Sequence, residues 1–151
     1  MKDFKSIEEI LDFAITNEQQ AADFYNNLAN DSEVKEMRET FLTYAKEEEG
    51  HKARLEKIKE TGEYDLPEEK VLDLKIGDYL VTSKASGKMS YQEALILAMK
   101  REKAAYKLYM KLSEIAPNED LKTVFIGLAI EEAKHKLKFE IEYDDVVYKE
   151  N

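Results

Sequence analysis

A glutamate and a histidine stand three residues apart in the segment 45–52, which reads Ala-Lys-Glu-Glu-Glu-Gly-His-Lys. Side chains at this spacing share one face of an α-helix, so Glu48 and His51 can bind one metal ion together. Apolar and aromatic residues continue the same spacing on both sides of the pair: Val34, Met37, Phe41, Tyr44, Leu55 and Ile58. Such a stripe is typical of a buried helix face. Because an isolated buried carboxylate is costly, the pair predicts metal binding if other helices supply further ligands.

The sequence repeats itself at an offset of 84 residues. Residues 6–57 align without a gap on residues 90–141, with fifteen identities in 52 positions. The identities include the Glu-x-x-His pair, which recurs at Glu132 and His135. The chain has only these two histidines. We interpret the repeat as a duplicated helical hairpin in which each half carries one Glu-x-x-His pair.

Capping signals and chain breaks divide each half into two helices. The Ser-x-x-Glu capping box occurs at Ser6 and again at Ser90. The predicted helices run from Ser6 to about Ala29, from the Asn30-Asp31-Ser32 cluster to about Thr61-Gly62, from Ser90 to about Ile115, and from Pro117-Asn118 to about Tyr143.

The connections between these helices predict the topology. The two short breaks make each helix pair an antiparallel hairpin, whereas residues 62–89 are numerous enough to travel the length of a helix. We therefore predict an all-α fold, a ferritin-like antiparallel four-helix bundle with one long crossover, formed by a single domain over residues 1–151. The crossover is too apolar for a free linker, and packing along its own bundle or against a second subunit would both fit it.

Two further glutamates occupy the predicted buried stripes. Glu18 on the first helix and Glu102 on the third align in the repeat and lie near the middle of their helices. Four carboxylates and two imidazoles should therefore meet at one level of the core. Four ionised carboxylates in a dry core would destabilise the fold, and two divalent cations would balance their charge.

The predicted metal ligands are therefore six residues: Glu18, Glu48, His51, Glu102, Glu132 and His135. We assign Glu48 and Glu132 as bridging ligands, because each shares a helix with a histidine. Glu18 and Glu102 are then terminal ligands, one for each metal. Carboxylate and imidazole donors suit iron or manganese, and zinc would bind without giving redox chemistry.

Two tyrosines lie two turns beyond the terminal glutamates on the same stripes. The phenols of Tyr25 and Tyr109 can donate hydrogen bonds to a ligating carboxylate, although ordinary packing of core aromatics explains the pattern too. By contrast, Glu47, Glu49 and Glu131 fall off the stripes and are predicted to face water.

Composition excludes several other classes of function. A net charge of −10 argues against a nucleic-acid or anionic-membrane surface. Without cysteine there is no disulfide, no iron–sulfur cluster and no thiolate-bound zinc. The first six residues lack the apolar core of a targeting signal, and the longest uncharged apolar run, residues 123–130, is too short to span a bilayer. We therefore expect a cytoplasmic protein.

The quoted motifs resemble those of the rubrerythrin family and, more broadly, of ferritin-like diiron carboxylate proteins. The likeness is carried by residues 14–25, by the matching helix 3 segment up to Tyr109 and by both Glu-x-x-His pairs, and it covers nearly the whole chain. It implies two iron ions, or manganese or a mixed pair, that react with hydrogen peroxide or dioxygen. It also implies a homodimer or a larger homo-oligomer.

Two features depart from the family pattern. The cysteine-free chain lacks a rubredoxin domain, so electrons would come from a separate donor such as a rubredoxin. Ala105 stands where rubrerythrins typically carry an additional glutamate, which makes the predicted site more symmetric and nearer to bacterioferritin.

Three functions remain open from the sequence. The first is an oxidoreductase that reduces hydrogen peroxide or dioxygen, and the second is a ferroxidase for iron storage or detoxification. The third is a metal-free helical scaffold whose apolar crossover binds a partner.

Overall fold

The computed structural model describes residues 6–33, 35–61 and 90–150 of the chain. These residues form four α-helices: α1 (Ile7–Asp31), α2 (Lys35–Thr61), α3 (Tyr91–Ile115) and α4 (Glu119–Glu150). No strand occurs within these three ranges. The predicted crossover, residues 62–89, and the stripe residue at position 34 lie outside the described residues.

Side-chain caps fix three of the helix starts. The Ser6 hydroxyl accepts a hydrogen bond from the backbone N–H of Glu9 at 3.1 Å, and the Ser90 hydroxyl accepts one from Glu93 at the same distance. At Ser90 the box is complete, because the Glu93 carboxylate accepts from the Ser90 backbone N–H. The Asn118 side chain caps α4 by accepting from the N–H of Leu121 at 2.8 Å. Each cap satisfies a backbone donor that the first helical turn leaves open.

Two helices continue beyond their predicted ends. Helix α1 includes Asn30 and Asp31 and ends where the Ser32 backbone bonds to Ala29. Helix α4 runs to Glu150 rather than to Tyr143. Residues 144–150 contain neither glycine nor proline, so nothing in the backbone chemistry stops the helix earlier.

Helices α1 and α2 form the first hairpin, and they run antiparallel. Lys59 near the end of α2 forms an ion pair with Asp12 near the start of α1. Nearer the middle, the Lys52 ammonium donates to the Gln19 side chain at 2.8 Å. The hairpin core contains a group of buried aromatic rings: Phe24, Tyr25, Phe41 and Tyr44. The Tyr25 ring centroid lies 5.6–6.4 Å from the centroids of the other three rings, within the range of favourable aromatic pairs.

Helices α3 and α4 form the second hairpin, which is also antiparallel. The Tyr91 hydroxyl at the start of α3 donates a hydrogen bond to the Glu142 carboxylate in the second half of α4, at 3.2 Å. Burial raises the pKa of Tyr91, and the negative charge of Glu142 raises it further. The hairpin buries mainly leucine and phenylalanine: Leu95, Leu97, Leu108, Leu112, Phe125, Leu128 and Phe139.

Among the described helices, none is both long enough and apolar enough to cross a membrane.

Candidate metal centre

The first hairpin brings two glutamates and a histidine together in its interior. Helix α1 supplies Glu18, and α2 supplies Glu48 and His51, and these residues are 1–3% exposed. The His51 Nδ1 atom lies 3.5 Å from Glu18 Oε2 and 3.8 Å from Glu48 Oε1. One ligand atom from each residue lies within 4.8 Å of the other two. We call these three residues the first triad.

The second hairpin contains the corresponding second triad. Helix α3 supplies Glu102, and α4 supplies Glu132 and His135, which are 1–4% exposed. The His135 Nδ1 atom lies 3.4 Å from Glu102 Oε1, and the ligand atoms of the three residues again lie within 4.8 Å of one another. The duplication detected in the sequence is therefore also present in the side-chain geometry of the two hairpins.

The separations within each triad fit atoms that surround one ion. Three donors bound to an ion at about 2.1 Å in a tetrahedral shell lie roughly 3.4 Å from one another. The nitrogen–oxygen distances of 3.4–3.8 Å agree with this value. Direct N–H···O hydrogen bonds are shorter, about 2.7–3.2 Å. Each triad thus offers one imidazole nitrogen and two carboxylates at a spacing suited to a divalent cation.

The charge of each triad also favours a cation. Two carboxylates lie in an interior where they have lost most of their contact with water, and a single imidazole stands beside them. Two like charges so close together destabilise each other, because the interior screens them less than water does. A divalent cation would remove this repulsion, and neutral imidazole would complete the donor set.

Small side chains and the α-helical repeat together position the ligands. Glu48 and His51 lie one turn apart on α2, so they project from the same face. Buried alanines flank the two remaining glutamates on α1 and α3: Ala14, Ala21 and Ala98. Their short side chains leave room beside the carboxylates. Ala105, on the other side of Glu102, is half-buried.

The other acidic and aromatic residues singled out from the sequence fall into two groups. Glu47, Glu49 and Glu131 are exposed, as the stripe pattern predicts. Tyr25 and Tyr109 are 0% and 1% exposed, and the Tyr25 ring lies nearly parallel to Phe41 with the ring centroids 6.4 Å apart. That contact accounts for the Tyr25 ring as core packing, and the role of the two hydroxyls as donors to ligands stays a prediction.

The lysines that follow the two histidines have different hydrogen-bond partners in the two hairpins. The repeated motif alone does not predict this difference. Lys52 reaches across to Gln19, whereas its repeat partner Lys136 pairs with Glu140 on its own helix. The two lysines differ because the residue that matches Gln19 in the second repeat is Lys103. A lysine there repels Lys136, so the ammonium turns to a carboxylate one helical turn away.

Comparisons with known proteins agree with this description. The family model described as Rubrerythrin matches residues 9–143. A Thermotoga maritima protein, described as a candidate ferritin-like diiron-carboxylate protein, superposes with a TM-score of 0.80 at 21% identity, covering 97% of this chain and 99% of that one. A hypothetical protein from Pyrococcus furiosus superposes with a TM-score of 0.72 at 28% identity, covering 95% and 91%. No curated protein matches the sequence. The predicted fold class, an all-α ferritin-like four-helix bundle, is confirmed.

Proposed function

The chain belongs to the rubrerythrin family, and from this membership we propose that it holds two iron ions and reduces hydrogen peroxide or dioxygen. Electrons come from a separate donor protein. The observation that carries the proposal is the pair of buried triads, each with one histidine nitrogen 3.4–3.8 Å from a carboxylate oxygen. A protein that used these helices only as a scaffold would have no need of four glutamates in its interior.

In this proposal the two triads serve one dinuclear centre. Glu48 and Glu132 would be the ligands shared by the two ions, Glu18 and Glu102 would each serve one ion, and each histidine would contribute one ring nitrogen. The gapless repeat of the six residues and the family membership support the pairing. The donor set suits iron, and also manganese or a mixed pair, because it offers oxygen and nitrogen without thiolate.

The protein residues position, shield and protonate the reacting groups. Bound iron would supply Lewis acidity and the electrons that break the oxygen–oxygen bond. Nearly complete burial of the six ligands keeps bulk water from the centre and strengthens the electrostatic interactions inside it. We assign proton delivery to a ligand glutamate that changes position or to the hydroxyl of Tyr25 or Tyr109, since both tyrosines are buried beyond the terminal glutamates.

We assign electron delivery to a separate donor protein, because these 151 residues contain no cysteine that could bind a thiolate-ligated iron. A small iron–sulfur or rubredoxin-type protein has the chemistry required.

Metal content and anaerobic kinetics test this function. We expect close to two iron ions per chain, and diferrous protein that reacts faster with hydrogen peroxide than with dioxygen in stopped-flow absorbance. Glu48→Gln should lower both the iron content and the rate, because it removes a charged ligand. Glu49→Gln, an exposed neighbour on the same helix, is the matched control and should change neither. Fewer than one metal per two chains, with melting unchanged by a chelator, would instead support a metal-free scaffold.

A ferroxidase is the second candidate, and the similarity of the two triads favours it. The histidine-to-carboxylate distances differ by only 0.1 Å between the hairpins, at 3.5 Å for His51–Glu18 and 3.4 Å for His135–Glu102. With Ala105 in place of an additional carboxylate, neither side carries an extra ligand. Sustained oxidation of many equivalents of added ferrous iron would identify this activity, whereas oxidation that stops at the resident ions would exclude it.

A further inference from the structure

Helix α4 carries a row of large apolar side chains on its exposed side. Ile130, Leu137, Ile141 and Tyr148 are 49%, 57%, 55% and 83% exposed. Steps of seven, four and seven residues place them on one face of the helix. Scattered exposed apolar residues are common on protein surfaces, but four large ones on a single helix face over roughly 27 Å indicate a surface that another molecule covers.

Two oppositely charged residues complete this row. Lys134 lies between Ile130 and Leu137, and Asp144 lies between Ile141 and Tyr148, and both are exposed. The six positions now follow the alternating four- and three-residue steps of a coiled-coil seam. The buried Phe139 lies on the opposite face, where α4 packs into its own hairpin. We call the six residues, Ile130, Lys134, Leu137, Ile141, Asp144 and Tyr148, the α4 seam.

We propose that the α4 seam binds the α4 seam of a second copy of this chain, with the two helices antiparallel. The two-fold axis passes close to position 139. Leu137 of each copy then lies opposite Ile141 of the other, and Ile130 lies opposite Tyr148. Lys134 lies opposite Asp144, so two ion pairs flank the apolar centre. Every contact occurs twice, as a symmetric dimer requires.

The charges on the α4 seam favour this arrangement over a parallel pair and over antiparallel pairs in other registers. In a parallel pair, Lys134 would lie opposite Lys134 and Asp144 opposite Asp144, and both contacts are repulsive. Sliding an antiparallel pair by one heptad would place Lys134 opposite Leu137, or Asp144 opposite Ile141, and would leave a charge against an apolar side chain. A single antiparallel register therefore matches apolar to apolar and positive to negative at all six positions.

A groove beside the seam fits the same partner. It lies between α3 and α4, has a volume of about 480 Å³ and includes Leu137 and the exposed Tyr106 in its walls. Three lysines and one glutamate also line the groove: Lys103, Lys107, Lys136 and Glu140. Because Lys136 is paired with Glu140, the positive charge of the groove comes from Lys103 and Lys107. In the antiparallel dimer the acidic second half of the other α4, which carries Asp144 and Asp145, runs toward this basic end. The groove therefore offers both an apolar contact and charges of the required sign.

Sedimentation velocity of the full chain over a range of concentrations tests this surface, independently of the metal centre. We expect a dimer for the wild-type chain. The single reversals Lys134→Glu and Asp144→Lys each create two like-charge contacts and should weaken dimerisation at least about tenfold. The double variant Lys134→Glu/Asp144→Lys restores opposite charges and should recover the wild-type dissociation constant. Lys122→Glu, exposed on α4 but off the seam, is the matched control.

Leu137→Asp places two carboxylates next to the two-fold axis and should give a monomer with an unchanged helical circular dichroism spectrum. A wild-type chain that remains monomeric at hundreds of micromolar would overturn the proposal. So would a dimer that survives both Leu137→Asp and Lys134→Glu. Disruption by both single reversals without recovery in the double variant would overturn the antiparallel register.

Discussion

Replacing the first triad by apolar residues should make the metal-free protein more stable. It should also remove one metal site and weaken the other, because Glu48 serves both ions in the proposed centre. The variant is Glu18→Leu/Glu48→Leu/His51→Met, in which each new side chain is apolar and larger than the old one by no more than about one methylene group. All three positions are 1–3% exposed, so their polar groups have given up hydration on folding. Without a metal ion, no interaction compensates for the free energy of hydration that these groups lose on folding. An apolar side chain at the same position does not lose that free energy.

The expected size of the effect follows from the geometry. The two carboxylates have oxygens within 4.8 Å of each other, and two unit charges at that limit repel by about 3.5 kcal/mol at an effective dielectric constant of about 20. Attraction to the imidazole offsets part of this repulsion, and substitutions of buried ionic groups by apolar ones typically stabilise by about 1–4 kcal/mol. For a chain of this size that range corresponds to a rise of roughly 3–12 °C in melting temperature.

Differential scanning calorimetry of chelator-treated protein measures the rise, and anaerobic ferrous titration measures the loss of binding. The single variant Glu49→Leu changes an exposed glutamate of the same helix and controls for added apolar surface. A metal-free triple variant that melts below metal-free wild type would refute the reasoning, because it would mean that the triad stabilises the fold without any ion.

Three further predictions concern the helices that position the site. Tyr91→Phe should cost about 1–2 kcal/mol near pH 7, because the hydrogen bond to Glu142 is lost. The raised pKa of Tyr91 means that the folded state keeps a proton that the unfolded state releases above about pH 10. Above that pH, the unfolding free energy of the wild-type protein should therefore fall more steeply than that of Tyr91→Phe. Denaturant titrations at several pH values measure both, and Tyr148→Phe, at an exposed position, is the control. Asn118→Ala removes the cap of α4 and should lower the unfolding free energy by about 1 kcal/mol, measured by urea titration. Gly50→Ala should raise the unfolding free energy by about 0.5–1 kcal/mol in the same assay, since an added Cβ meets no atom within 4 Å, and iron binding should not change.

Local rules explain why the sequence predicts the helices of the two hairpins and places a glutamate and a histidine on one face of a helix. Capping boxes at Ser6 and Ser90 determine where two helices begin, and the one-turn spacing of Glu48 and His51 determines that they share a face. The end of α4 was predicted wrongly at Tyr143, since no glycine or proline marks the true end and the prediction had no other signal to use.

Other features depend on which side chains meet across a hairpin, and single-sequence patterns do not specify that. Lys52 and Lys136 are identical in the repeat, yet their partners differ because Gln19 faces one and Lys103 lies near the other. Helix-face patterns define stripes but not the exact neighbour of a long, flexible lysine. The exposed row on α4 was likewise missed, because only the observed burial distinguishes it from the core stripe on the same helix.

Each triad is contained within one hairpin, and this has a consequence for assembly of the protein. An ion held by Glu18 and His51 closes a chain segment of 33 residues, whereas one held by Glu18 and His135 would close 117. The entropy cost of joining chain ends rises with the length between them, so the shorter closure comes first. If the proposed centre binds metal, an ion held by the first hairpin would favour this short closure over the long one, and metal supply would then influence the order in which the chain matures.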